Sequence, residues 1–333
     1  MGKEVEMNEM SDLMKHLEAM ALQNPENIGM LKVRSANDTM IDASQRPNPD
    51  NLWLDLWYEN EVCCLFADSN IGKSIYAVQM AAVIAQTRKV LYFDFELSDK
   101  QFQLRYTSDD GKFFHFPDNL YRVEINPEQY TLDRMEDFEG RVVEDIEECT
   151  KKFDAKVVII DNLSYLCSAA EKSEFAGALM MRLITLKKSS GLSILVLAHT
   201  PKRNMSNPIT QNDLAGSKRL MNFFDSAFTI GQSAKDAGLR YIKQIKVRHG
   251  NFTYSGDNVL TCSITKSDDA FLHFEAMDCC HEKEHLKEPS EEDKAALIER
   301  VRELSSQGIS QREIAEKVGK SAASVNRMLK SMS

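Results

Sequence analysis

A loop in this 333-residue chain has the residue types and spacing that bind phosphate. It ends in Gly72, Lys73 and Ser74, follows an apolar run at 62–66 and precedes a long apolar run at 75–85. Strand, loop and helix in this order form a P-loop, whose backbone N–H groups surround an anion at the helix N-terminus. Lys73 would reach the outer phosphates, and the Ser74 hydroxyl would bind Mg²⁺. We predict that a nucleoside triphosphate binds to Ala67, Asp68, Ser69, Asn70, Ile71, Gly72, Lys73 and Ser74.

Two carboxylates come at the ends of predicted strands. Asp161 ends the β-branched run at 156–161, which is apolar enough for a strand buried on both faces, and it is placed to hold Mg²⁺ through water. Glu96 follows the run at 89–95, in a strand that we expect beside the P-loop strand. There it could polarise the water that attacks the γ-phosphate. The alternative for Glu96 is a solvated loop residue.

Two further polar residues, Asn162 and His199, help to assign the roles of side chains at this site. ATPases of the AAA+ type carry the catalytic glutamate directly after the Mg²⁺-binding aspartate, where this chain has Asn162, so Glu96 is the candidate base. His199 ends the next buried run, 192–198, and at that strand tip it could contact the γ-phosphate and report its presence. A structural histidine is the alternative.

The motifs resemble the RecA-like ATPase superfamily, and within it the DnaB-like and RepA-like hexameric helicases, over about residues 51–275. Gln101 and Arg105, after the candidate base, and a late Lys-x-Arg pair, Lys246 and Arg248, belong to the same pattern. The resemblance implies ATP and Mg²⁺ as ligands and a homo-oligomer, expected as a hexamer. It also implies that the Lys-x-Arg strand reaches the ATP site of the neighbouring subunit. An edge strand with two solvated cations on one face is the alternative.

The resemblance also implies where single-stranded DNA binds. In RecA-like proteins the loops after the strand that contacts the γ-phosphate face a central channel, and here they would bring four cations to DNA phosphates. These are Lys202, Arg203, Lys218 and Arg219. A surface loop with ordinary cations is the alternative. One departure is His199, where DnaB-like proteins usually carry glutamine; RepA-like proteins are closer.

The spacing of the apolar runs predicts an α/β fold with a RecA-like core, in which a mostly parallel, twisted sheet carries helices on both faces. A closing antiparallel hairpin is expected over 258–265 and 271–274. The strands of the sheet are predicted at 61–66, 89–95, 120–125, 156–161, 192–198, 226–230 and 240–247.

We expect four segments along the chain. Ser11 can cap an amphipathic helix, and two prolines at 47 and 49 indicate a linker after it. The segments are a helical arm with its linker at 1–50, the ATPase core at 51–278, a charged linker at 279–291 and a small all-α helix-turn-helix at 292–333.

The helix-turn-helix predicted at 292–333, the tail module, contains a clear helix start signal. Ser310 and Glu313 form a capping box at the start of one helix, and Gly319 ends it before a second helix at 321–330. Apolar residues at helical spacing would form the core of the module. They are Ile309, Ile314, Ala315, Val318, Val325 and Leu329.

The second helix of this module is predicted to recognise duplex DNA. Four basic residues and no acidic residue occur from Lys317 onward. Asn326 would reach a base edge, and Arg327 and Lys330, three residues apart on one helix face, would contact phosphates. A protein-docking module of three helices is the alternative.

Composition is that of an ordinary folded protein, with 43% hydrophobic and 28% charged residues. A net charge of −10 excludes a surface that is basic everywhere, so nucleic acid must bind to local patches. The seven cysteines, an odd number, are expected as reduced thiols in a cytoplasmic protein. No apolar run of about 18 residues and no signal peptide are visible, so no membrane contact is expected.

Four potential metal ligands lie close together in the predicted charged linker. They are Cys279, Cys280, His281 and His285. Adjacent cysteines do not match the usual Cys-x₂₋₄-Cys pairs of zinc sites, and no second pair follows. The spacing therefore favours a polar linker over a metal site.

The sequence leaves three functions open. The first is an ATP-driven DNA motor or loader, similar to RepA-like helicases, in the replication or mobilisation of a plasmid or another mobile element. The second is a regulator in which ATP switches a DNA-bound oligomer without unwinding. The third is a recombination or repair ATPase that forms filaments. The Lys-x-Arg element favours shared ATP sites, but it fits a ring and a filament equally well.

Overall fold

The computed structural model describes residues 26–126, 128, 138–166, 173–201, 203–215, 220–248, 250–288 and 291–331. The chain divides into two units, Met1–Asp50 and Asn51–Ser333. From residue 26 onward the first unit contains a hairpin and one helix, which the sequence pattern does not predict. These are β1 (Glu26–Ile28), β2 (Leu31–Val33) and α1 (Ala36–Ser44). The helix predicted to begin at Ser11 lies outside the described residues.

The second unit is built on one nine-stranded sheet, preceded by a short hairpin of β3 (Asn51–Trp53) and β4 (Trp57–Tyr58). The nine strands are β5 (Val62–Ala67), β6 (Val90–Asp94), β7 (Leu120–Val123), β8 (Val157–Asp161), β9 (Ser193–His199), β10 (Ser226–Gln232), β11 (Leu239–Lys246), β12 (Val259–Lys266) and β13 (Leu272–Cys280). Their order is β13-β12-β11-β10-β5-β9-β8-β6-β7. The strands from β10 to β7 are parallel, whereas β11 to β13 pair antiparallel. The predicted α/β fold with a mostly parallel sheet is confirmed.

Helices cover both faces of this sheet. They are α2 (Lys73–Ile84), α3 (Asp99–Arg105), α4 (Phe138–Phe153), α5 (Leu163–Leu166) and α6 (Ser173–Ser190). Successive residues of β5 alternate between two apolar clusters: Val62, Cys64 and Phe66 pack with α4 and α6, and Cys63 and Leu65 pack with α2. A strand that is buried on both faces needs apolar residues throughout, and this explains the continuous apolar runs in the sequence.

The expected position of the Glu96 strand was wrong. We expected β6 beside the P-loop strand β5, but β9 and β8 lie between them. The crossover helices of a parallel sheet allow consecutive strands to be separated, and sequence order alone does not specify this. All four strands end at the same edge of the sheet, so Glu96, Asp161 and His199 still lie near the P-loop.

The segment predicted as a charged linker begins inside the folded sheet. Strand β13 continues to Cys280, and Glu282–His285 forms a 3₁₀ helix. Glu282 is buried, accepts the backbone N–H of Ile209 at 2.8 Å and pairs with Lys243. An acidic run predicts exposed carboxylates only where no backbone N–H or lysine, such as those that pair with Glu282, is within reach. The Lys287 backbone N–H also donates to the Met205 carbonyl, at 3.1 Å.

The tail folds as three helices around a small core of its own. They are α7 (Glu291–Ser306), α8 (Gln311–Val318) and α9 (Ala322–Ser331). The capping box of Ser310 and Glu313 is present, and Gly319 ends α8 with a positive φ of 62°. The side chain of Lys320, in the following turn, donates to Asn207 Oδ1 at 3.1 Å. The core residues are Val301, Leu304, Ile314, Ala315 and Val325.

No helix among the described residues is both long and apolar enough to pass through a bilayer.

Candidate active site

The P-loop joins the end of β5 to the start of α2. Lys73 is buried, and its Nζ donates to the carbonyls of Ala67 and Asp68 at 3.0 Å each. Gly72 has a φ of +108°, and a Cβ there would lie 2.8 Å from Ile264 of β12. Only glycine fits this backbone and this gap. The loop therefore presents free N–H groups of a helix N-terminus and one ammonium group, which suit a polyphosphate.

Asp161 lies next to this loop, at the end of β8. Its carboxylate accepts the Tyr92 hydroxyl at 2.6 Å. Burial raises the pKa of Asp161 to about 6, although the neighbouring hydroxyls of Ser74 and Tyr92 lower it. A carboxylate and a neighbouring hydroxyl are oxygen donors that Mg²⁺ prefers, so Ser74 and Asp161 fit this ion.

Glu96 is held in a turn that follows β6. The buried carboxylate of Asp94 accepts the backbone N–H groups of Glu96 at 3.2 Å and Leu97 at 3.0 Å. Arg122 of β7 donates to the other oxygen of Asp94 at 2.9 Å. The Glu96 side chain is 44% exposed, so water can reach it. This turn directs Glu96 back over β8, toward the P-loop.

The His199 side chain lies between the P-loop lysine and the candidate base. Its Nδ1 is 3.1 Å from Lys73 Nζ, and its Nε2 is 3.7 Å from Glu96 Oε1. Asn162 Nδ2 contacts both Glu96 Oε1 and, at 3.0 Å, His199 Nε2. Burial and the charge of Lys73 lower the pKa of His199, which keeps the ring neutral at pH 7. Burial also lowers the pKa of Lys73.

The structure places Arg203 away from the position expected for a DNA contact. Its side chain is 7% exposed, and its Nε lies 3.3 Å from the carboxylate of Asp68 in the P-loop. Thr200 donates a hydrogen bond to the same carboxylate. The sequence motif did not show that Asp68, an acid inside an anion-binding loop, would need a compensating cation. Lys202, Lys218 and Arg219, the other cations predicted to contact single-stranded DNA, lie outside the described residues.

Lys246 and Arg248 lie at the opposite edge of the sheet from the P-loop of the same chain. Lys246 of β11 pairs with Ala227 of β10, and Ala227 pairs in turn with Cys64 of β5. Cys64 lies three residues before Ala67, where the P-loop begins. That separation is roughly 10 Å along the strand. Lys246 donates to two main-chain carbonyls, and Arg248, 57% exposed, pairs with Asp225. Neither cation lies in the candidate nucleotide site of its own chain.

The predicted duplex-binding side chains are on the last helix, α9. Arg327 and Lys330 are exposed and Asn326 is half-buried. Elsewhere, Cys280 Sγ lies 3.0 Å from His285 Nε2. Within the described ranges no three side chains of the metal-binding types come together to hold an ion.

Several residues that shape the site were missed from the sequence. Tyr92 and Asp94 are two residues apart on β6, so their side chains lie on the same face of the sheet. This spacing could have identified both residues from the sequence. Asn162 was identified only as the position of an absent glutamate. Arg122 had no signal, because its role depends on a partner that is distant in the sequence. Asp68 was predicted in the P-loop, but its pairing with Arg203 was not, for the same reason.

Comparison with known families gives one match in the region of the P-loop core and one in the helical tail. A family described as AAA domain matches residues 30–205, and a family described as winged helix-turn-helix DNA-binding matches residues 299–333. A comparison with curated proteins gave no match. The first match contains the P-loop, Glu96, Asp161 and His199, and the second contains α8 and α9. Because the first match covers more than half of the chain, this protein belongs to the AAA domain family.

Proposed function

We propose that this DNA-associated ATPase is a motor or loader, similar to RepA-like helicases, that acts in the replication or mobilisation of a plasmid or another mobile element. One observation carries the proposal. Lys73, Glu96, Asp161 and His199, which come from four different strand ends, meet at one edge of the sheet. This is the arrangement that an ATP-hydrolysing RecA-like core needs, in a chain that also has a DNA-binding module.

In this proposal each side chain has one task in hydrolysis. Lys73 neutralises charge on the outer phosphates, and Glu96 accepts a proton from the attacking water. Ser74 and Asp161 would hold Mg²⁺, which when bound supplies positive charge to the phosphates. His199, neutral and beside Lys73, would contact the terminal phosphate.

Lys246 and Arg248 are proposed to act on the ATP site of a neighbouring subunit in a homo-oligomer, expected as a hexamer. Their place at the edge opposite their own P-loop supports this role. Arg248 would have to leave Asp225, whose carboxylate would keep the Lys187 ammonium at 2.8 Å and the Val62 N–H at 2.9 Å. Electron microscopy with a non-hydrolysable ATP analogue, with and without single-stranded DNA, tests whether rings or filaments form.

A regulator that ATP switches without unwinding is the second candidate. The hydrogen bond from Lys320 to Asn207 favours it, because it joins the turn of the tail module to the loop that follows His199. Strand-separation assays with a forked duplex distinguish the two: unwinding supports the motor, and ATP-dependent duplex affinity without unwinding supports the regulator.

Deletion of residues 290–333 should weaken duplex binding and leave the ATPase core folded, because the tail has a separate apolar core. In the full chain, Arg327→Ala should reduce the slope of log affinity against log salt by about one unit, as expected for the loss of one phosphate contact. Arg302→Ala, on α7 and paired with Glu299, is the matched control and should leave the slope unchanged. A deletion variant that binds duplex as tightly as the full chain at equal salt would make the tail a protein-docking module.

Mg²⁺-dependent hydrolysis should need more Mg²⁺ as the pH falls through about 6, because protons then compete for the carboxylate of Asp161. Tyr92→Phe removes a donor that stabilises this carboxylate. The variant should therefore raise the pH at which hydrolysis begins to need more Mg²⁺ by roughly one unit. The measurement is the Mg²⁺ concentration for half-maximal hydrolysis between about pH 5 and 8. Tyr58→Phe, which loses a hydrogen bond to Asp55, is the control, and coincident profiles for all three proteins would exclude this role of Asp161.

A further inference from the structure

We propose that Asn162 is a positioning residue of the ATPase, whose single side-chain amide orients both Glu96 and His199. The proposal rests on the function proposed above and adds a residue to its site. Asn162 follows Asp161 at the tip of β8, between the tips of β6 and β9, and it is 1% exposed. A buried amide must satisfy its N–H groups within the protein, so its two contacts are obligatory partners.

Two partners fix the orientation of the amide. The backbone N–H of Tyr165 can only donate, and it lies 3.1 Å from Asn162 Oδ1. A carboxylate can only accept, and that of Glu96 contacts Nδ2. A reversed amide would place donor against donor and acceptor against acceptor. One N–H of the amide therefore points at Glu96, the candidate base.

The second N–H of the amide favours one tautomer of His199. It points at Nε2, 3.0 Å away, and because an amide nitrogen only donates, it favours an Nε2 that accepts. In that tautomer the one proton of the neutral ring is on Nδ1. Lys73 Nζ, which also only donates, lies 3.1 Å from Nδ1 and favours the opposite tautomer. One amide thus orients the Glu96 carboxylate and favours Nδ1 as the donor atom of His199.

The Nδ1–H of His199 then faces another donor. Lys73 Nζ lies 3.1 Å from it and already donates to two loop carbonyls. Two donors in contact are unfavourable, and an anion that accepts from both would remove this conflict. The terminal phosphate of ATP is such an anion. Asn162 therefore connects the ring that would contact the phosphate to the carboxylate that would activate water.

The decisive variant is Asn162→Ser, measured in the full chain. Serine keeps an oxygen that can cap the backbone N–H of Tyr165 and lacks the amide. We expect kcat to fall about 10- to 100-fold, the range usual for residues that hold an active group in place, with a much smaller change in ATP affinity. The double variant Glu96→Gln with Asn162→Ser should lose less than the product of the two single losses, because Asn162 acts partly through Glu96.

Asn119→Ala is the matched control for Asn162→Ser. The Asn119 amide also donates one hydrogen bond, to the Ala85 carbonyl at 3.1 Å, outside the site. This variant should keep the kcat of the wild type. A normal kcat in Asn119→Ala would show that the loss of any one amide hydrogen bond does not slow hydrolysis, so a low kcat in Asn162→Ser could be assigned to its contacts with Glu96 and His199.

A spectroscopic readout tests the same inference without hydrolysis. In protein that holds Mg²⁺ and a non-hydrolysable ATP analogue, whose phosphate accepts from Lys73, the signal of ¹⁵N-labelled His199 is assigned by its absence in His199→Gln. We expect the Nδ1–H tautomer in the wild type and a loss of that preference in Asn162→Ser. A proton on Nε2 in the wild type would overturn the proposal.

The kinetic outcomes separate this inference from the function on which it rests. Wild-type kcat in Asn162→Ser, with an inactive Glu96→Gln, would overturn only the role of Asn162 and leave it as a helix cap. An active Glu96→Gln would defeat the proposed ATPase site, and the role of Asn162 with it.

Discussion

Purified Lys73→Ala should hydrolyse ATP at least about 10³-fold more slowly than the wild type, because the loop then loses its ammonium group beside the outer phosphates. Lys73 is buried, and its side chain donates to the carbonyls of Ala67 and Asp68. The Arg240 side chain also donates to a carbonyl of this loop, that of Ile71 at 3.2 Å, but it is a guanidinium from β11 and not the P-loop ammonium. Arg203 approaches the same loop, but its charge is directed at Asp68. The measurement is steady-state phosphate release at saturating ATP, together with the binding of a fluorescent nucleotide.

Lys156→Ala is the matched control for this variant. Lys156 also donates to a main-chain carbonyl, that of Ser190 at 2.8 Å, but it lies at the start of β8, away from the strand ends. It should retain wild-type turnover. If Lys73→Ala hydrolyses ATP as fast as this control, the P-loop is not the site of hydrolysis.

Glu96→Gln should retain ATP binding and lose about 10²- to 10⁴-fold in kcat, the contribution usual for a general base. Glutamine keeps the length of the side chain, and its amide oxygen can still accept from Asn162. The change therefore removes the proton acceptor and keeps the geometry. Single-turnover hydrolysis after mixing with excess enzyme measures the chemical step directly.

Glu124→Gln provides a control on the neighbouring strand. Glu124 pairs with Arg122 at 3.0 Å, so the variant alters the surroundings of Asp94 without touching the candidate base. Near-wild-type turnover is expected. A harmless Glu96→Gln beside a damaging Asn162→Ala would contradict the RecA-like assignment of the base.

The sequence could predict which residues meet at the site, because a parallel sheet brings the carboxyl ends of its strands to one edge. Apolar runs that end in Asp161 and His199 mark two of these ends in the sequence itself. The strand order could not be obtained in this way. Two strands separate β6 from β5, and the turn at Asp94 brings Glu96 back across them.

Cations were the least predictable group. Arg203 has the place in the sequence expected for a DNA contact, but in the structure it pairs with the carboxylate of Asp68. Arg248 likewise pairs with Asp225, which is more than 20 residues away in the sequence. The fate of a long basic side chain depends on which carboxylate lies within its reach, and spacing along the chain carries little information about that distance.

The short attachment of the tail limits how far the two ends of the protein can separate. Lys287 is hydrogen-bonded to Met205, and α7 begins at Glu291, four positions later in the chain. Four Cα steps reach at most about 14 Å, which corresponds to about four base pairs along a duplex. If the core moves along DNA as proposed, a further advance while the tail stayed bound to DNA would have to break this attachment or pull the tail off. Under the proposed function, both ends can remain on DNA together only if the protein works at, or within a few base pairs of, the place where its tail is bound.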